Sequence, residues 1–89
     1  VYLKRPQLAE ENLLKAHELD PTNVAVTDNL GVAAFQRQDY ARAVMFFLKG
    51  VAVEPNEPRR LRNVSETYGV MGDEVKAAEY RQRAEEAEK

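Results

Sequence analysis

Three alanines, Ala9, Ala43 and Ala77, stand 34 residues apart, and the positions around them return with the same offset. Leu13, Phe47 and Arg81 follow the alanines by four residues, and Ala16, Gly50 and Ala84 by seven. Asp20-Pro21 comes back as Glu54-Pro55, and Asp39 comes back as Asp73. A period of about 34 residues with helical spacing inside each copy specifies a solenoid of stacked helix-turn-helix units. Such a stack buries its core between neighbouring copies and leaves long open surfaces, which suits it to holding another protein rather than to catalysis.

Length supports the same reading. A chain of 89 residues is one domain at most and buries only about 60–65% of its unfolded surface. A solenoid tolerates this, because each repeat needs only its neighbours. The hydrophobic share is 44% and the charged share 31%, ordinary for a soluble domain. A net charge of −2 gives no whole-chain attraction to nucleic acid or to an anionic membrane. The absence of cysteine removes disulfides and thiolate metal sites and leaves the compartment open. No apolar run reaches the roughly 18 residues of a membrane-spanning helix, and no signal peptide is evident. Starting at Val1 without methionine, inside a repeat already under way, the chain reads as a piece of a longer protein.

Five helices are expected. The first runs from Pro6, suited to a first turn, to Leu19, with Pro21 beyond its end. The second spans Val24 to Arg37 behind Asn23 as N-cap, with Val26, Leu30, Ala33 and Ala34 as its apolar set. The third follows Asp39 as N-cap and ends at Val53 before Pro55, burying Ala43, Phe46, Phe47, Gly50 and Val51. The fourth runs from Pro58 to Met71 over Leu61, Val64 and Tyr68. Gly72 supplies a left-handed stop and Asp73 the next cap. The fifth, Glu74 to Glu88, keeps Val75, Ala77, Ala78, Tyr80 and Ala84 and is otherwise charged.

On these residues the chain resembles the tetratricopeptide repeat (TPR) family. Residues 24–57 carry the likeness best, with Leu30-Gly31, Ala43, Phe47 and Pro55 at the family's spacing. Thr27 stands where a large residue is usual, and Ala34 where a tyrosine is usual, with Phe35 beside it to supply bulk. Residues 1–23 match the second helix of a truncated repeat. Residues 58–89 match a terminal repeat in which Ser65 replaces the usual glycine and Arg81 the usual aromatic, so the fifth helix reads as a cap. The resemblance implies an all-α, right-handed superhelical solenoid of antiparallel helix hairpins. A generic antiparallel helical bundle with accidental periodicity is the plainer alternative.

The family's first helices line a concave face, here the second and fourth. The resemblance therefore implies a peptide-binding surface of Asp28, Asn29, Val32 and Gln36 with Arg59, Arg62, Asn63 and Glu66, and Phe35 flanking. Arg59 and Arg62 suit a partner carboxylate, whereas Arg60 is expected to point elsewhere; the plainer reading of all three is a solvated helix start. A chaperone-type carboxylate clamp, as in some members, would use Asn29 and Arg59, but Asn63 stands where that clamp wants arginine. His17, the one histidine, has no second strong ligand one turn away and reads as structural or solvent-facing, and no metal or other cofactor is expected. Asp28 and Glu66 across the groove have the residue types of an acid/base pair, yet no nucleophile or phosphate loop accompanies them, and no enzyme is expected.

The expected function is a protein–protein interaction module presenting a groove to a peptide or helix of another protein. No nucleic-acid partner and no membrane insertion are expected. The alternative is a structural segment that packs on other parts of its own chain or self-associates. The first helix, lacking a preceding partner, is expected to uncover Leu8 and Leu13 for an upstream helix or a second copy.

Overall fold

The computed structural model describes residues 6–89, with side chains from Glu10 onward. Leu8 therefore lies outside the described side chains. Five helices appear among these residues, α1 (Pro6–Leu19), α2 (Val24–Gln36), α3 (Tyr40–Val53), α4 (Pro58–Val70) and α5 (Glu74–Ala87), with no strand. Each helix packs on the one before and the one after it in sequence. The result is an elongated stack of 42 × 27 × 22 Å, the all-α solenoid that the 34-residue period specifies. Three expected ends shift by one residue, since Arg37, Met71 and Glu88 are C-caps rather than helical residues.

Two kinds of turn alternate, and each has a chemical cause. Between hairpins the chain leaves a helix through Asp20-Pro21 or Glu54-Pro55, where proline has no N–H to continue the ladder. The next helix starts on a side-chain cap. Asn23 Oδ1 accepts from the backbone N–H groups of Ala25 (3.1 Å) and Val26 (3.3 Å). Glu57 accepts from the N–H of Arg59 (3.1 Å) ahead of Pro58 at the first turn.

Inside hairpins the turn is a left-handed residue followed directly by an aspartate cap. Gln38 has φ 66° and Gly72 has φ 87°. After α2 the N–H of Gln38 donates to the Phe35 carbonyl and that of Asp39 to the Ala34 carbonyl, both at 2.9 Å. After α4 Gly72 donates to Gly69 (3.1 Å) and Asp73 to Tyr68 (2.9 Å). This is the Schellman closure, which satisfies carbonyls a helix end leaves open. Asp39 and Asp73 then cap the following helix by accepting from the N–H groups of Arg42 (3.3 Å) and Lys76 (3.1 Å). The two turns are alike, but only one carries the glycine that the conformation favours.

The core lies where α2, α3, α4 and α5 meet. Ala34, Ala43, Val44, Phe47, Val51, Leu61, Val64 and Ala84 form one buried cluster. Burying a side chain the size of Phe47 or Leu61 contributes about 1.5–3 kcal/mol. Gly31 sets how closely α2 and α3 approach, since a Cβ there would lie 2.5 Å from Phe47 Cε1. Phe47 thus fills space within its own hairpin as well as facing the next one. In the following copy both halves of this contact change together. Arg81 replaces the aromatic and is exposed, and Ser65 replaces the glycine and donates its hydroxyl to the Ala77 carbonyl at 2.6 Å. Thr27, where bulk was expected, is buried with its hydroxyl turned back to the Val24 carbonyl at 3.0 Å. Tyr68 stacks with Tyr80 at 5.9 Å between centroids.

Holding a residue with a Cβ in the left-handed region costs about 1–2 kcal/mol relative to glycine. Gln38→Gly is accordingly expected to raise the unfolding free energy by about 0.5–1 kcal/mol, with Gly72→Ala lowering it by a comparable amount. Urea denaturation followed by circular dichroism checks both, and destabilisation by Gln38→Gly would contradict the turn described.

Candidate functional site

The residues expected on the concave face separate into three groups. Val32, Gln36, Asn63 and Glu66 come together. With Phe35, Phe47 and Thr67 they line one cleft between α2 and α4, floored by α3, of about 200 Å³. This is smaller than the about 300–1,000 Å³ of typical small-molecule sites and suits one or two side chains of a partner. Its floor is apolar. The side chains of Gln36, Asn63 and Glu66 make no hydrogen bond or ion pair among the described residues, and the Thr67 hydroxyl is satisfied by the Asn63 carbonyl at 2.7 Å. Val32 stays 42% exposed there, an apolar side chain on a helix face that no other helix covers among the described residues.

Asn29 and Arg59 form the second group. Both are exposed and outside the cleft. Asp28 and Arg62 form the third, and here the expectation of free groove charges is corrected. Asp28 is bound to Arg60, whose Nε donates to Oδ1 and whose second terminal nitrogen donates to Oδ2, each at 2.8 Å. The other terminal nitrogen of Arg60 reaches Glu54 at 3.3 Å. Arg62 is hydrogen-bonded and ion-paired with Glu88 at the end of α5. Asp28 is therefore not a partner for Glu66 in any acid/base pair.

Arg60 does point away from the cleft, but it is no solvated helix start. It is 5% exposed. Gly50 makes room for its stem, because a Cβ at that position would meet Arg60 Cδ at 2.6 Å and Nε at 2.7 Å. Hydrogen bonding to Asp28 pushes the Arg60 guanidinium above its ordinary pKa against the opposing effect of burial. A raised folded-state value means the pair's contribution is fully present below the ordinary one and is lost only as pH climbs through the raised one. No titration at ordinary pH releases Arg60. The bond to Glu88 raises Arg62 in the same way.

Sequence reasoning missed this clamp, and it missed Phe47 and Thr67 as cleft walls. One signal was present. Gly50 occupies the position that holds Ala16 and Ala84 in the other copies, and glycine inside a helix costs about 1 kcal/mol against alanine. A glycine kept there marks something packed against it.

His17 packs edge-on to Phe46 with centroids 6.1 Å apart, and no three His, Asp or Glu side chains converge among the described residues. Glu10 on α1 is buried and ion-paired with Arg37 beyond α2. Leu13, expected on an uncovered face, is half-buried. No helix is long and apolar enough to cross a membrane among the described residues.

No family model and no curated protein sequence matches the chain. Solved structures of MamA do match. MamA MSR-1 is 29% identical over 93% of this chain and 48% of its own, with a TM-score of 0.87. MamA AMB-1 is 30% identical over 91% and 44%, with a TM-score of 0.86. A further MamA crystal structure, 22% identical with a TM-score of 0.89, is alike in fold alone. The chain spans about half the length of these MamA chains. Their fold is a helical, TPR-like solenoid, and the likeness supports a TPR-type repeat fold for this chain.

Gly50→Ala tests the clamp. It is expected to lower the unfolding free energy by about 1–3 kcal/mol through overpacking on Arg60, although alanine is the better helix former. Chemical denaturation checks this, and a stability gain would show that Arg60 is not packed there.

Proposed function

We propose that this chain is a protein–protein interaction module whose cleft between α2 and α4 takes a short segment of a partner protein. The observation that carries the reading is the composition of the cleft. An apolar floor of Phe35 and Phe47 lies beneath Val32, and the rim carries uncommitted polar groups on Gln36, Asn63 and Glu66. Apolar floors supply binding energy, and a few convergent polar groups fix orientation. Two side-chain amides on facing helices offer both donors and acceptors, the pairing a peptide backbone needs. Binding rather than catalysis fits these groups, since the one hydroxyl lining the cleft, on Thr67, donates to the Asn63 carbonyl and not to an activating base.

A second reading, packing on other parts of its own chain, is favoured by a different surface. Val70, Met71 and Val75 are 51%, 44% and 79% exposed around the α4–α5 turn, where the preceding copy carries Gln36, Arg37 and Ala41.

Site-specific photo-crosslinking in the source cell distinguishes them. A benzophenone side chain placed in turn at Gln36, Asn63, Val75 and Met45 reports what each surface touches. A partner crosslinked from Gln36 and Asn63, and not from Met45 on the exposed side of α3, is the expected outcome. Crosslinks from Val75 alone, to the same chain or a second copy, would replace the cleft reading with the second one.

A further inference from the structure

The chemistry of the cleft specifies its ligand further. We infer that, if the cleft binds a partner segment, the segment places a lysine or arginine side chain against Glu66, next to an apolar residue seated on Phe35 and Phe47. The inference rests on the cleft being the binding surface.

Charge accounting within the fold leads there. Among the described residues, Glu66 is the only acidic or basic side chain lining the cleft. The cations nearest along its helix pair with other acids. Arg62, one turn before Glu66, pairs with Glu88 at the exposed surface, and Arg60 lies buried against Asp28. Arg59 is near the start of α4, outside the cleft. Across the cleft, α2 contributes only Val32, Phe35 and Gln36, which carry no charge. Glu66 is exposed and unpaired among the described residues.

Backbone electrostatics act in the same direction. Val32, Phe35 and Gln36 belong to the last turns of α2, which ends at Gln36, and Glu66 and Thr67 lie close to the end of α4 at Val70. The C-terminal ends of both helices, where partial negative charge collects, thus border the cleft. Neither helix has a basic residue in its last helical turn, and Arg37, the C-cap of α2, is ion-paired with Glu10. A partner carboxylate, which free arginines at positions 59 and 62 would have suited, meets a like charge instead.

Selection from a random dodecapeptide display library tests the assignment, with the wild-type chain, Glu66→Gln and Gln36→Trp as targets. Glu66 and Gln36 are both exposed, and equal helicity of the three proteins is checked first. Wild-type selections are expected to enrich Lys or Arg beside an aliphatic or aromatic residue. The enriched peptides should bind Glu66→Gln about tenfold more weakly, lose affinity as salt rises, and fail on Gln36→Trp, which fills the cleft. Peptides blocked by Gln36→Trp but without basic enrichment, or binding Glu66→Gln as well as wild type, would overturn the cation assignment and leave the cleft reading standing. Peptides indifferent to Gln36→Trp, or no selection above background, would overturn both.

Discussion

A guanidinium cannot be buried alone, and that constraint organises the middle of this molecule. Arginine stays ionised across the ordinary pH range, so the 5% exposure of Arg60 demands partners with matching geometry. Asp28 supplies a bidentate pair at 2.8 Å on both bonds, and Glu54 supplies a third contact at 3.3 Å. The aspartate comes from α2, the arginine from α4, and the space between them from Gly50 of α3. Three helices must hold one relative placement for the charge to be satisfied. Breaking such a pair from one side strands a mostly buried charge, so displaced stackings of the hairpins are penalised. Apolar burial around Phe47 and Leu61 supplies most of the driving force; the clamp selects which packing that force produces.

The same contact shapes the outer surface. By holding Asp28 and Arg60 beneath α2 and α4, it removes one acid and one base from the face between them. The Arg62–Glu88 pair engages another base at the exposed surface. What remains is an apolar floor with two amides and one carboxylate, set at the C-terminal ends of two helices. The electrostatic character of the cleft follows from which charges the fold consumes, not from the composition of α4, which carries three arginines in its first turns.

Much of this was legible in the sequence, for physical reasons. The helices follow from the 34-residue period and from caps, and Asn23, Asp39, Pro58 and Asp73 each sit where a terminus needs them. Val32, Gln36, Asn63 and Glu66 were readable as one surface because the TPR resemblance implies that the second and fourth helices line one face, and helical spacing picks out the residues that point to it. Helical spacing cannot tell a charge on the rim from one beneath it. Asp28 and Arg60 are 32 residues apart, and Arg62 and Glu88 are 26 apart, so their pairing depends on how hairpins stack. Gln38 escaped for a similar reason. Its left-handed conformation is imposed by the closure of the turn onto Ala34 and Phe35, while Gly72 announces the same conformation by residue type.

A double-mutant cycle on Asp28→Ala and Arg60→Ala, read as unfolding free energies from urea denaturation, most directly tests whether the clamp fixes the stack. The account predicts that each single change is strongly destabilising and that the second costs little once the first is made, a coupling of about 1–3 kcal/mol. Costs that add to within about 0.5 kcal/mol would mean the two side chains do not act as a pair, and the register of the hairpins would have to come from apolar packing alone.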